Sequence, residues 1–422
     1  MRAVGRARPH SRPSRREAWA LALVATATMA ISYVDRQTLA VLAPTVTKAL
    51  DIDETAYGWL ASAFSIAYLV AAPIAGRVID RVGARRGLLV AVLVWSIVAA
   101  AHAGVAVYAQ LFALRIALGV AESPSFPGAA QTVHRALPAG ERARGFGVLF
   151  VGSSFGAMLA PPLAAFLSTR LSWRWAFVGT AIVGLAWVPA WLAVAWKANR
   201  RAILDSPPDD ASPLGVSKRP RVIDVAKDPA VLRATLVVAA VAPAIGFVLN
   251  WGAKFLERHH GVAQGDMGRY LVLPPLAYDL GSIAFGDLAS RRAKNRSDPL
   301  ASDRLLFAAA LALAATMVLV PASRSTWEAI AWASVSLAGC GGLFALMTAD
   351  MMARVAPSAV SLAGGICAGA QSLALIVANP LVGREVDRTW SYTVPLLVLA
   401  AWMMPGSLVW LAWNPRPRSS GT

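Results

Sequence analysis

Charge is what this sequence has least of. Asp, Glu, Lys and Arg make up only 15% of its 422 residues, against 57% hydrophobic residues and a mean hydropathy of +0.55. That excludes a soluble globular fold of this length, whose surface needs a much larger charged share. Cysteine is nearly absent. Cys340 and Cys367 both fall inside apolar segments, which excludes a disulfide framework and leaves two packed thiols. His102, His134, His259 and His260 sit at the ends of apolar runs and His10 in a tail. No nucleophile–base set, metal-ligand cluster or phosphate loop occurs, so the sequence reads as a non-enzyme without a cofactor. Acidic residues are also few, and the formal net charge is +17. On a soluble protein that would suggest nucleic acid. Here the basic residues form short clusters between apolar runs, so they are topology determinants and nucleic acid is not a partner.

Apolar runs fill the rest. A hydrocarbon core of about 30 Å takes roughly 20 residues as helix. Twelve runs qualify: 18–42, 56–79, 87–106, 108–134, 145–169 and 173–196, then 230–254, 267–290, 302–321, 327–352, 358–383 and 392–413. The predicted fold is an all-α membrane protein with 12 transmembrane helices in two six-helix halves. Its parts are a disordered basic tail (1–17), a first six-helix bundle (18–196), a linker (197–229), a second bundle (230–414) and a short tail (415–422). The linker carries Pro207, Pro208, Pro213 and Pro220 and has no apolar period, as a polar connection should. Arginine and lysine concentrate in alternate connections, which predicts that both termini are cytoplasmic.

After the second run the chain reads Gly76, Asp80, Arg81, Gly83, Arg85 and Arg86. The spacing resembles the cytoplasmic signature of the major facilitator superfamily. Gly76 is expected to allow close helix packing. Asp80, with Arg81, Gly83 and Arg85, is expected to form a latch between the halves. A degenerate echo follows the eighth run, from Gly281 to Arg292, as an internal duplication would leave.

Charges also lie inside the runs. Arg115 and Glu122 are seven residues apart in the fourth, on nearly one helix face. Asp35 and Arg36 adjoin in the first, after Tyr33. Such groups are costly in lipid and should face a cavity. Arg36 has the planar fork that suits a carboxylate, and Asp35, taken out of water, is placed to carry a proton. In the second half Asn250, Trp251, Lys254, Tyr278, Asp279, Gln371 and Asn379 are the polar or aromatic candidates, and Asn379 precedes Pro380, where a broken helix frees backbone groups. Asp279 is a further proton site or the partner of Lys254 or Arg269. Gly339 to Gly342, with Cys340 between, reads as close packing.

Several stretches together are similar to the anion:cation symporters, and to their hexuronate and galactonate branch. They are Tyr33 to Gln37, Tyr57 to Phe64, Glu122 to Gly128, Glu141 to Ala143 and Gly152 to Leu163. The resemblance covers residues 20 to 196 strongly and 230 to 414 thinly. It implies the major facilitator fold, the bacterial inner membrane, a monomer, and proton-coupled uptake of a small organic anion such as a sugar acid, with the proton gradient as energy source. It also implies roles: Asp35, Glu122 and Arg115 in proton coupling, Arg36 and Tyr33 in substrate binding. Asn379 and Gln371 are added as cavity candidates. The chain departs from the family at Ser123, Pro124 and Ser125, where relatives commonly carry an asparagine, so the particular anion is left open. Two other readings compete. A drug or metabolite antiporter would carry a Gly-Pro pair in the fifth run, whereas Gly156 is followed by Ala157 and the prolines come at Pro161 and Pro162. A membrane sensor would bind without translocating.

Overall fold

The computed structural model describes residues 14–197, 200–201, 204–205, 221–293, 302–356 and 359–415. Most of the expected tails and of the linker therefore lie outside the described residues; residues 14–17, expected to belong to the disordered tail, instead cap and begin the first helix. Among the described residues there are helices and no strand. The first half comprises Arg15–Ala49, Glu54–Val82, Ala84–Ala101, Tyr108–Glu122 continued by Ser125–Ala136, Ala139–Arg170 and Trp173–Ala195. The second comprises Pro229–His260, Met267–Leu271 continued by Leu273–Ala293, Arg304–Ala314 continued by the tighter turn Ala315–Ala322, Thr326–Arg354, Val360–Thr389 and Thr393–Ala412. These are taken below as the first to twelfth spans.

Ten of them are long and apolar enough to cross a bilayer unaided. The fourth and the eighth are broken. The fourth stops at Glu122 and resumes at Ser125, with Pro124 between. The eighth breaks at Val272, just before Pro274 and Pro275. Proline supplies no N–H and crowds the preceding turn, which is the ordinary cause of such breaks. Span ends are capped where the chain meets the polar layer. Ser14 and Glu17 form a reciprocal capping box on the first span, and Asp53 caps the second.

Apolar side chains cover the outside of the bundle, as lipid requires, and the packed residues separate into distinct cores. One joins the second half to the far ends of the first and second spans, through Leu39, Val46, Tyr57 and Leu60. Another, with Leu21, Ala25, Leu88, Trp95 and Trp191, belongs to the first half alone. The halves thus share a core at the face opposite the linker and keep separate cores on the linker side. Close backbone approaches fix the seam. A Cβ on Gly58 would meet the Asn379 carbonyl oxygen at 2.5 Å, and one on Gly383 would meet that of Glu54 at 2.2 Å. Gly339, Gly341 and Gly342 do pack closely, against the ninth and eighth spans. Cys340 and Cys367 are buried free thiols.

Candidate functional site

The polar links between the halves run from the far face to the middle of the bundle. At the far end Glu54, at the start of the second span, takes Lys254 at 3.0 Å on one oxygen and Arg258 at 2.5 Å on the other. Lys254 also donates to the Thr47 hydroxyl at 2.8 Å. Asp387 on the eleventh span accepts from the Glu54 and Thr55 backbone N–H groups at 3.0 and 2.8 Å, and from the Thr55 hydroxyl at 2.5 Å. A carboxylate on exposed N–H groups at a helix start is a favourable pairing. Deeper in, the Tyr57 hydroxyl donates to the Asn250 carbonyl at 2.5 Å and the Ser62 hydroxyl to that of Ile376 at 3.0 Å. These residues form a seal that was not expected from the sequence, apart from Lys254 and Asn250 as unassigned polar candidates.

Behind the seal, the charged side chains of the first and fourth spans gather in the first half. Arg36 Nε donates to Glu122 Oε2 at 2.7 Å, and the Ser32 hydroxyl donates to the same oxygen at 2.8 Å. The Arg36 guanidinium lies over three rings: Tyr33 at 4.9 Å, Phe64 at 4.9 Å and Tyr68 at 4.6 Å from the centroids. Arg115 also lies over Phe64, 5.0 Å from its centroid. Phe64 and Tyr68 are one helix turn apart on the second span and stack with centroids 5.9 Å apart. Cations over aromatic faces are stabilised without being neutralised. Arg36 Nη2, Glu122 Oε1, Arg115 Nε and Nη1, and both oxygens of Asp35 are buried without a hydrogen-bond partner. Buried polar groups are almost always satisfied, so a cluster of this size is exceptional and calls for an explanation.

Only some of the expected residues come together. Arg36, Tyr33, Glu122 and Arg115 come together. Asp35 points aside, as the 100° step between neighbours on a helix requires; it is 2% exposed and faces Thr180 of the sixth span. Asn379 was expected to line the cavity. It is buried in the seal, where Trp251 Nε1 donates to its Oδ1 at 3.1 Å and Asn250 Nδ2 at 3.4 Å. It therefore closes the seam and does not line an open chamber. Gln371 is half-buried on the eleventh span and makes no hydrogen bond to another described residue. Asp279 pairs with neither Lys254 nor Arg269. It accepts a hydrogen bond from the Ser154 hydroxyl at 2.8 Å, across the seam, while Arg269 goes to Asp266.

The latch residues are placed differently from the expectation. A Cβ on Gly76 would meet nothing within 4 Å, so this glycine is not a packing residue. Gly83 has φ +85° and joins the second span to the third, a backbone conformation that disfavours other residues. Asp80 accepts from Gln131 Nε2 at 3.0 Å within the first half, and Arg81 is exposed. Arg85 is buried and pairs with Asp205 of the linker at 2.5 Å. Arg135 Nη1 donates to the adjacent Leu204 carbonyl at 2.6 Å. These contacts hold the linker to the first half and do not join the halves.

Two six-span bundles that share a core on one face, keep separate cores on the other and bury unpaired charges between apolar helices have the build of a membrane carrier. The chain belongs to the Major Facilitator Superfamily, which it matches over residues 25–301. Its relatives are transporters, and it is not an enzyme. It is 28% identical over 279 residues to a hexuronate transporter of Escherichia coli (strain K12), an alignment that spans 64% of each chain. It is 26% identical over 424 residues to a D-galactonate transporter of Escherichia coli O6:H1, covering 95% of this chain and 96% of that one. Among solved structures, a bacterial homolog of the human lysosomal transporter Spinster superposes with a TM-score of 0.74 at 17% identity, covering 95% and 94% of the chains.

Proposed function

We propose that this protein is a proton-coupled symporter of a sugar acid or similar small organic anion, working by alternating access in the bacterial inner membrane. The observation that carries the reading is the Arg36 cluster. It offers a cation with a free donor, held among aromatic rings, and a carboxylate whose second oxygen has no partner. The basic residues of alternate connections favour the linker side as cytoplasmic, which would make the Glu54 network an outward-facing seal.

The chemistry follows from competition for one cation. Arg36 is engaged by Glu122, and an entering carboxylate needs the same guanidinium. Removing one member of a buried pair is costly unless its charge goes too. A proton on Glu122 cancels that charge, loosens the pair and frees Arg36 for the anion. Asp35 has no counter-charge at all, and an unpaired carboxyl away from water is held most cheaply as the neutral acid. Proton and anion therefore favour each other's binding, which is the requirement for symport. Relatives named for hexuronate, D-galactonate and galactarate/D-glucarate support the anion class.

The test is a thermal-shift screen of the purified protein against sugar acids, aromatic acids and short carboxylates. A sugar acid should stabilise it, and Arg36→Ala should abolish the shift while leaving the unliganded transition cooperative. Stabilisation by organic cations, or by sugar acids equally in the variant, would sink the reading.

A further inference from the structure

The first span turns a second polar side chain toward the seam. Gln37 follows Arg36 in the chain, is 9% exposed and makes no hydrogen bond to another described residue. An amide carries two N–H donors and an acceptor oxygen, and burying them unmatched is costly. This amide lines a cavity that the two halves share. Val41 of the first span and Ala157 of the fifth contribute from the first half; Val248 of the seventh span and Leu271 and Pro275 of the eighth contribute from the second. Every lining side chain other than Gln37 is apolar.

The cavity measures about 10 Å³, room for about one water-sized group. The eighth span breaks at Val272, between the lining residues Leu271 and Pro275, and broken helices where the halves meet are where carriers hold substrate. Toward the far face the cavity is closed. Gln264 Nε2 donates to the Val41 carbonyl at 3.0 Å, and the Thr45 hydroxyl donates to Gln264 Oε1 at 2.9 Å. On the other side stands the Arg36 cluster. Gln37 and Tyr33 are four residues apart, hence neighbours on one face of the first span, and the Tyr33 ring lies 4.9 Å from the Arg36 guanidinium. Arg36 and Gln37 adjoin, with Cα atoms about 3.8 Å apart, so a ligand of a few carbons reaches from one side chain to the other.

We propose that Gln37 reads one hydroxyl of the substrate and so sets the carrier's preference for polyhydroxy acids. With the carboxylate on Arg36, a hydroxyl enters the recess and pairs with the Gln37 amide. A hydroxyl both donates and accepts, so it suits either orientation of the amide. An acid of the same length without that hydroxyl leaves the amide unmatched, and sites built to bond a hydroxyl reject such analogues strongly. The inference rests on the symport reading above and deepens it by naming a specificity-determining residue.

The test titrates purified protein with D-galactonate or D-galacturonate, whichever stabilises it, and with the monodeoxy analogues of that acid, each lacking one hydroxyl. Wild type should bind at least one analogue about tenfold more weakly than the parent acid. Gln37→Met keeps the length of the side chain and removes the amide. It should weaken the parent acid by a similar factor and bind that analogue as well as the parent. Its unliganded melting temperature should be unchanged or higher, because no hydrogen bond is lost. Gln37→Leu replaces it should the methionine variant fail to fold. Equal binding of all analogues by the wild type overturns this inference alone. So does a variant that keeps the wild-type preference among analogues, or one whose unliganded melting temperature falls, since either makes Gln37 a packing group only. Failure of the wild type to bind either parent acid overturns the symport reading and this one with it.

Discussion

Replacing Glu54 with glutamine should open the far face. Glu54 and Lys254 are buried, with side-chain exposures of 6% and 7%, and Glu54 is the shared counter-ion of Lys254 and Arg258. The substitution keeps the shape of the side chain and leaves two neighbouring cations of the seventh span at the seam without their counter-ion. Removing one member of a buried pair costs about 3 kcal/mol or more. The penalty falls on the sealed state, because outward opening would hydrate both cations. At about 1.4 kcal/mol per decade, the equilibrium should move roughly 100-fold toward the outward-open state. Spin labels on Lys48→Cys and Arg384→Cys, both exposed on the far ends of their spans, report the gap by pulsed dipolar spectroscopy. The native cysteines are buried, so labelling is confined to the introduced ones. Glu54→Gln should add a longer-distance population, and adding Lys254→Met should recover part of the short one. An unchanged distribution in a folded Glu54→Gln protein would refute the assignment of this network as the outer seal.

Three further outcomes are expected. Gly156→Ala forces a Cβ onto the Ala30 backbone and should lower stability by about 1–3 kcal/mol, whereas Gly76→Ala meets open space and should leave the melting temperature unchanged or slightly higher; scanning fluorimetry of the pair checks both. Arg36→Lys keeps the charge but loses the planar fork among Tyr33, Phe64 and Tyr68, so sugar-acid affinity by titration should fall about tenfold or more. Asp205→Asn removes the counter-charge of Arg85; because Asp205 is partly exposed the effect is about 1 kcal/mol, read as several-fold faster proteolysis near residues 200–205.

The spans were legible in the sequence because lipid imposes one requirement on every crossing helix, an unbroken apolar surface long enough for the bilayer. The breaks at Pro124 and before Pro274 are local departures from that rule, so the fourth and eighth spans were expected to run through. The charged residues of the first and fourth spans stood out for the same reason the spans did. Their pairing did not, because Arg36 and Glu122 meet only through the fold. Phe64 and Tyr68 were missed, although a four-residue aromatic spacing facing the first span was the available signal. The seal left little trace. Glu54 lies in an acidic connection with Asp51 and Asp53, and Asp387 in a stretch of mixed charge with Arg384, Glu385 and Arg388, so neither stands out as a partner. Only tertiary structure brings Glu54 to Lys254, Arg258 and Asp387. Gly76 shows the converse: a residue at the right place in a motif whose expected packing role the structure does not supply.

Proton movement accompanying substrate is the most direct test of the whole scheme. In proteoliposomes with a pH dye inside, addition of external D-galactonate to the wild type should acidify the lumen, and an imposed inward proton gradient should drive accumulation above equilibrium. Glu122→Gln should lose both while still exchanging labelled for unlabelled substrate. Undiminished proton flux and accumulation in that variant would contradict the role given to the Arg36–Glu122 pair.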